Sequence, residues 1–178
     1  MPIDRTREEF DDVVREHAAA IVNLARAMTG SDTDADDLAQ ETFVRAWRGF
    51  AKFRGESTVR TWLHGIALNV IRTYRAKRSH ARRLFSVLSR RETDEEDPLE
   101  RMAAGEDLEG QLAARDAIDR ALATLPADLR ETLVLRDIQG LEYREISAVL
   151  GVPIGTVESR IFRARQRLKP LLEEVRKR

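Results

Sequence analysis

The residues best placed to do chemistry lie between positions 156 and 167. Ser159, Phe162, Arg163 and Gln166 recur at helical spacing on one side of a helix, flanked by Thr156, Arg160 and Arg167. Hydroxyls and guanidiniums arrayed this way donate to phosphate oxygens and to base edges. An aromatic among them suits contact with a base edge or a thymine methyl. A merely solvated face mixes signs, whereas here Glu158 is the only acid. The chemistry is recognition of DNA. Catalytic alternatives are thin. There is no cysteine, which excludes a disulfide framework, a thiolate metal site and a cysteine nucleophile. The three histidines are scattered, and His17 falls on an apolar stripe as a core-edge residue. Asp36 and Asp37 face outward on a helix, with nothing to suggest a pocket that would shift their pKa values. No cofactor, metal or enzymatic activity is expected.

The element that holds this face is a pair of helices joined by a tight turn. The first covers residues 143–150, with Ile146, Val149 and Leu150 inward. Gly151 suits a left-handed C-cap, and Pro153 prevents the helix from continuing. The second runs from 153 to about 168 on a core stripe of Val157, Ile161, Ala164 and Leu168. A short helix, a glycine turn and a helix with a basic outer face form the pattern of a DNA-reading helix-turn-helix.

Lysine plus arginine equals aspartate plus glutamate at 31 each, so net charge is uninformative, but the charges are segregated. Residues 57–91 hold no acid and accumulate Arg60, Arg72, Arg75, Lys77, Arg78, Arg82, Arg83, Arg90 and Arg91. Residues 92–109 reverse the sign, with Arg101 the only base. Such blocks point to separate binding surfaces. The start of the chain lacks the apolar core of a signal peptide and no apolar run reaches spanning length, so a cytoplasmic protein with no direct membrane insertion is expected.

Periodicity predicts further helices. Residues 7–28 follow a Thr6/Glu9 capping box, with Phe10, Val13, Val14, His17, Ile21, Leu24, Ala25 and Met28 buried. Residues 34–50 bury Ala35, Leu38, Ala39, Thr42, Phe43, Ala46, Trp47 and Phe50, leaving Asp36, Asp37, Gln40, Glu41, Arg45 and Arg48 outside. Residues 59–77 bury Val59, Trp62, Leu63, Ile66, Ala67, Val70, Ile71 and Tyr74, and expose Arg60, His64, Asn69, Arg72, Thr73 and Arg75. An aromatic-containing loop feeding a basic helix suits single-stranded or partly melted nucleic acid. Trp62, on the core stripe, is at least as well explained by packing. Residues 111–124 suggest a helix on Ala114, Ile118, Ala121, Leu122 and Leu125, and another runs from Pro126 to Gly140.

Three motifs occur in order: Asp37-Leu38-Ala39-Gln40-Glu41-Thr42-Phe43; Phe53-Arg54-Gly55-Glu56-Ser57 with Thr61-Trp62-Leu63; and the segment from Gly151 to Arg160. Together they resemble bacterial RNA polymerase sigma factors of the extracytoplasmic function (ECF) group. The resemblance implies an all-α protein of two small helical domains. Residues 1–80 would be sigma region 2, residues 81–110 a charged, mostly flexible linker, and residues 111–178 sigma region 4 with the helix-turn-helix. It implies that Asp37, Gln40, Glu41 and Arg45 dock on the β′ coiled coil of core RNA polymerase, a complex of β′ and β subunits. Phe53, Arg54, Ser57, Trp62, Asn69, Arg72 and Arg75 would capture and melt the −10 element of promoter DNA. Thr156, Ser159, Arg160, Phe162, Arg163 and Arg167 would read the −35 element, with Arg160, Arg165 and Arg167 toward phosphates. A cognate anti-sigma factor is a further implied partner.

The chain departs from the family pattern at Gly65, His64, Leu68, Thr73 and Glu158, which bears on the promoter sequence preferred. Three rival readings fit the sequence less well. A stand-alone repressor or activator calls for a dimerisation seam, and no heptad is evident. A mimic that only titrates an anti-sigma factor has no need of the final helix's arginines. A nuclease calls for clustered carboxylates and histidines at ligand spacing.

Overall fold

In the computed structural model, residues 7–88 and 106–176 are described, and they form helices and turns with no strand among them. Helix α1 spans Arg7–Thr29, α2 Asp32–Phe50 and α3 Val59–Leu88. Helices α4 (Glu106–Ala123), α5 (Ala127–Leu133), α6 (Tyr143–Leu150) and α7 (Ile154–Arg176) follow, with a π-helical turn at Val134–Ile138 continuing α5. Thr6 of the expected capping box lies outside the described residues. No described helix is long and apolar enough to cross a membrane.

The first three helices pack around Ile21, Leu24, Met28, Leu38, Ala46, Phe50, Leu63 and Ile71. Local chemistry fixes where each begins. The Ser31 hydroxyl accepts from the Asp34 N–H at 3.2 Å and caps α2. The Thr58 hydroxyl accepts from the Thr61 N–H at 3.1 Å and caps α3. Helices α5, α6 and α7 build the second unit on Leu129, Leu133, Ile146, Val157, Ile161, Ala164 and Leu168. All four positions of the anticipated α7 stripe are buried. A fully buried leucine or isoleucine is worth about 1.5–3 kcal/mol, and the buried apolar residues of the two units join in one continuous cluster.

The turn of the helix-turn-helix is as the sequence implies. Gly151 has φ of 67°, its N–H and that of Val152 both donate to Ser147 O, and the Ser147 hydroxyl returns a bond to Val152 O at 2.6 Å. Pro153 then accepts from Thr156 and Val157 to open α7.

Several elements differ from expectation. Helix α3 continues past Lys77 to Leu88, because residues 78–88 contain no glycine or proline and are rich in arginine and other good helix formers. Helix α4 starts at Glu106, inside the stretch assigned to the linker; the rest of that stretch, 89–105, lies outside the described residues. Trp47 is 46% exposed, because Ala46 and Phe50 fill the inner side of α2 and leave the indole on the rim against Phe10, ring centroids 5.1 Å apart. Ile118 is likewise exposed on α4. His64, expected at the surface, is fully buried because the second helical unit packs on that side of α3. Leu68, outside the anticipated stripe, is buried as well.

Two glycine substitutions separate backbone strain from helix propensity. At Gly151 a new Cβ meets no atom, but the left-handed conformation is strained for any side chain; Gly151→Ala should cost about 1–2 kcal/mol. Gly155 lies within α7 with open space around it, so Gly155→Ala should stabilise by up to about 1 kcal/mol. Urea denaturation followed by circular dichroism should show the two midpoints moving in opposite directions.

Candidate nucleic-acid interface

Three surfaces carry the sequence-predicted residues. On α2, Asp37, Gln40, Glu41 and Arg45 are all exposed on one face, and Arg45 pairs with Glu41 at 2.7 Å. Beside them, Phe10, Val14 and Val22 of α1 with Phe43, Val44 and Trp47 of α2 line an open groove that also reaches Gln40. Val44 and Trp47 are the exposed apolar residues here, and sequence reasoning missed both as surface residues. Their signal was available: apolar positions 43, 44, 46, 47 and 50 make a wider stripe than one helix face needs for a core.

The second surface is the loop before α3 and the helix itself. Phe53 stacks at 4.9 Å on Trp62, which lies 6.4 Å from Phe50, so both rings are part of an aromatic ladder with their edges at the surface. Arg54 and Asn69 are exposed, and Ser57 and Arg75 are half-buried. Arg72 is committed elsewhere. Its guanidinium donates to both carboxylate oxygens of Glu131 on α5, the shortest bond being 2.6 Å, and this hydrogen bonding holds Arg72 above its ordinary pKa.

The third surface is α7. Phe162 is 64% exposed, the most exposed of the large apolar side chains. Ser159, Arg163 and Arg167 surround it at the surface, and neither arginine has an acidic partner among the described residues. The Arg163 guanidinium donates to Ser159 O at 3.2 Å, which lays it along the helix surface. Thr156 is half-buried at the start of the same face. Arg160 points back to Asp128 of α5 at 3.4 Å, and Arg165 forms a bidentate pair with Asp137 at 2.6 and 3.1 Å. Glu158 remains exposed.

The structure brings the second surface against the other helical unit through a seam whose named side-chain contacts are polar. The buried Gln139 amide, set just after the π-helical turn, donates to His64 Nε2 at 3.1 Å and to Ala20 O at 3.2 Å. His64 Nδ1–H in turn donates to Arg60 O at 2.7 Å, which fixes the ring tautomer. The Arg60 guanidinium donates to the Gln139 carbonyl. The Thr61 hydroxyl donates to Glu145 at 2.7 Å, and Arg26, itself buried, bridges Asp32 and Asp119 at 2.8 and 2.7 Å. Burial pushes the Asp119 carboxyl up against the opposing pull of Arg26. Glu145 is held below the usual carboxylate range, first by the Glu142 N–H at 2.8 Å and then by Thr61.

Comparison with known proteins finds two family patterns in the chain. Sigma-70 region 2 matches residues 13–81, and Sigma-70, region 4 matches residues 115–168. An ECF RNA polymerase sigma factor SigE of Mycolicibacterium smegmatis is 38% identical over 164 residues, covering 92% of this chain; the chain spans 61% of that relative's length. An RNA polymerase sigma-H factor of Pseudomonas aeruginosa is 35% identical over 178 residues, covering 94% of this chain and 90% of the relative. Among solved structures, the sigma factor RpoE of Bartonella quintana, in complex with the anti-sigma factor NepR, superposes with a TM-score of 0.70 at 28% identity over 93% of this chain and 98% of that one.

The polar bonds of the seam can be removed without dismantling the helices on either side. A net hydrogen bond contributes only about 0.5–1.5 kcal/mol, whereas each unit buries many large apolar side chains. Arg72→Ala combined with Gln139→Ala should raise the radius of gyration in solution scattering while leaving helical circular dichroism unchanged. The bond from the Glu142 N–H to Glu145, and then the Thr61 contact, add a pH dependence. Because the folded pKa of Glu145 is lowered, its contribution is complete above the unfolded glutamate value of about 4.3 and is lost as pH falls through the folded value. Glu145→Gln should flatten the stability profile below roughly pH 4.3.

Proposed function

The chain belongs to the extracytoplasmic function group of RNA polymerase sigma factors, and from that premise we propose that it binds core polymerase and directs initiation at promoters carrying its own −10 and −35 elements. One observation carries the reading. A single chain holds, in order, an exposed acidic helix face, an aromatic loop leading into an acid-free helix, and a helix-turn-helix whose outer face is aromatic and basic. A sigma factor performs no catalysis of its own. It contributes binding surfaces, and polymerase does the chemistry.

Residues 1–80 are assigned to region 2, 81–110 to the linker and 111–178 to region 4. In this assignment, Asp37, Gln40, Glu41 and Arg45 meet the β′ coiled coil, and the neighbouring Val44 and Trp47 supply the apolar area that charged contacts alone lack. Phe53, Arg54, Ser57 and Trp62 receive displaced −10 bases, and Asn69, Arg72 and Arg75 follow the strand. Extruding bases costs a few kcal/mol, offset by stacking at about 1–3 kcal/mol per base. Ser159, Phe162 and Arg163 face −35 base edges. Thr156 heads the same face, and Arg160, Arg165 and Arg167 take phosphates and thereby set register without specifying sequence.

Glu131 occupies the Nε and Nη2 donors of Arg72, and promoter engagement in this reading parts the closed seam to release that fork. A partner that grips the closed arrangement would then act as an inhibitor. The Bartonella quintana relative was solved with an anti-sigma factor, and a partner of that kind is proposed for this chain. A cytoplasmic location is proposed with it, since polymerase and promoter are there.

Run-off transcription with purified core polymerase on a genomic promoter pool tests the reading. New start sites sharing one −10/−35 pair are expected only when the protein is present. Arg163→Glu should redistribute −35 preference. Gln40→Ala with Glu41→Ala should weaken core binding about tenfold or more, a loss of about 1.4 kcal/mol. Neither new starts nor core binding would leave a stand-alone regulator in its place.

A further inference from the structure

A cleft of 410 Å³ opens where α1, α3 and α5 meet, and its lining includes Met28, Tyr74, Arg75, Arg78, Arg83 and Arg130 but no carboxylate. Arg78 is partly satisfied, donating to Asp34 at 3.0 Å and to the Tyr74 hydroxyl at 2.9 Å. Arg130 reaches across from α5 and donates to Ala123 O, Leu125 O and Met28 O, at 2.6, 3.1 and 3.4 Å. Its Nε is buried and finds no acceptor among the described residues. Half-buried Arg75 has no ion pair among them either. Burial and then the charge of Arg75 push the Arg130 guanidinium down, so the two cations feel each other across the seam.

Two guanidiniums from different helical units, partly shielded from water and without an ion pair among the described residues, repel; the charge of Glu131 relieves Arg130 only in part, and an anion between the two would relieve both. Planar guanidinium forks match phosphate oxygens bidentately. The volume lies within the roughly 300–1,000 Å³ usual for small-ligand clefts. We infer that this cleft is a binding site for a phosphoryl group, held between Arg75 of α3 and Arg130 of α5 with Arg78 and the Tyr74 hydroxyl beside it. Because its walls come from both units, the bound phosphate ties them together and favours the closed arrangement. It also occupies Arg75. The site stands on the cleft's own geometry and does not depend on the promoter assignment.

The phosphoryl group can belong to a free small molecule or to a nucleic-acid backbone, and the test separates them. Pyrophosphate is titrated calorimetrically into the full chain at constant ionic strength, with chloride as the reference anion. One-to-one binding is expected, weakened at least tenfold in Arg75→Ala and unchanged in Arg15→Ala, which lies away from the cleft. Arg130→Lys keeps the charge but loses the fork, and should weaken binding without the loss of folding that removing its carbonyl bonds invites. Solution scattering should show saturating pyrophosphate reducing the radius of gyration. A short duplex of arbitrary sequence is the second arm. Displacement of pyrophosphate with the same Arg75 dependence assigns the site to backbone phosphate, whereas no displacement assigns it to a free phosphate compound. Binding equal to that of chloride, or equally sensitive to Arg15→Ala, overturns the site. No polymerase is present, so a failed transcription assay and a failed phosphate titration remain separate results.

Discussion

A buried side-chain amide must find partners, and in this molecule the Gln139 amide finds them in another helical unit. Leaving it unpaired would cost about 1–3 kcal/mol, comparable to the loss of a well-buried side chain. The π-helical turn at Val134–Ile138 ends α5 so that Gln139 lands under α3 and α1 instead of facing solvent. His64 must then be buried and hold one tautomer, and Arg60 must lie where it can cover the Gln139 carbonyl. The way the two units face each other follows from this small set of donors and acceptors.

The polar bonds of this seam behave differently from the apolar cluster that runs through both units. Water or another polar partner can replace each of those bonds, so separation exposes groups that remain satisfied. The apolar cluster has no such substitute. In the proposed function the same folded units take a second, open arrangement, and any ligand shifts the balance only by the difference between its affinities for the two. Groups that serve in both arrangements are the levers, and Arg72, Arg75 and Glu145 are three of them.

What the sequence made legible was what lies close together along the chain. The α7 stripe repeats at helical spacing, so its burial and the exposure of Phe162 followed directly. Gly151 and Pro153 each have one conformational reason to be where they are, so the turn followed too. The placement of Asp37, Gln40, Glu41 and Arg45 on one face of α2 needed only the helix repeat. The pairs that close the seam join residues far apart: Arg26 with Asp119, Thr61 with Glu145, Arg72 with Glu131. Nothing in the local pattern of α3 distinguishes Arg72, which has a carboxylate waiting, from Arg75, which has no ion pair among the described residues. His64 was misplaced for the same reason: its spacing put it outside the unit's own stripe, and its cover comes from elsewhere. Trp47 failed in the opposite direction, apolar in type and on the stripe by spacing, yet left on the rim once Phe50 had filled the interior.

The absence of acids from residues 57–91 gains a reason from this arrangement. A carboxylate on α3 would lower the helix's affinity for any phosphate whether the seam were open or closed. The acids that engage α3 across the seam, Glu131 and Glu145, are carried by the second unit and leave with it when the units part. In the closed form the Glu131 carboxylate presents two oxygens to the Arg72 fork, the same bidentate geometry a phosphate would offer. If α3 takes DNA phosphates as proposed, the second unit covers it with an imitation of its ligand. At Arg75 and Arg130 the imitation is missing and like charges face each other, which makes that cleft the place where a real phosphate has most to stabilise.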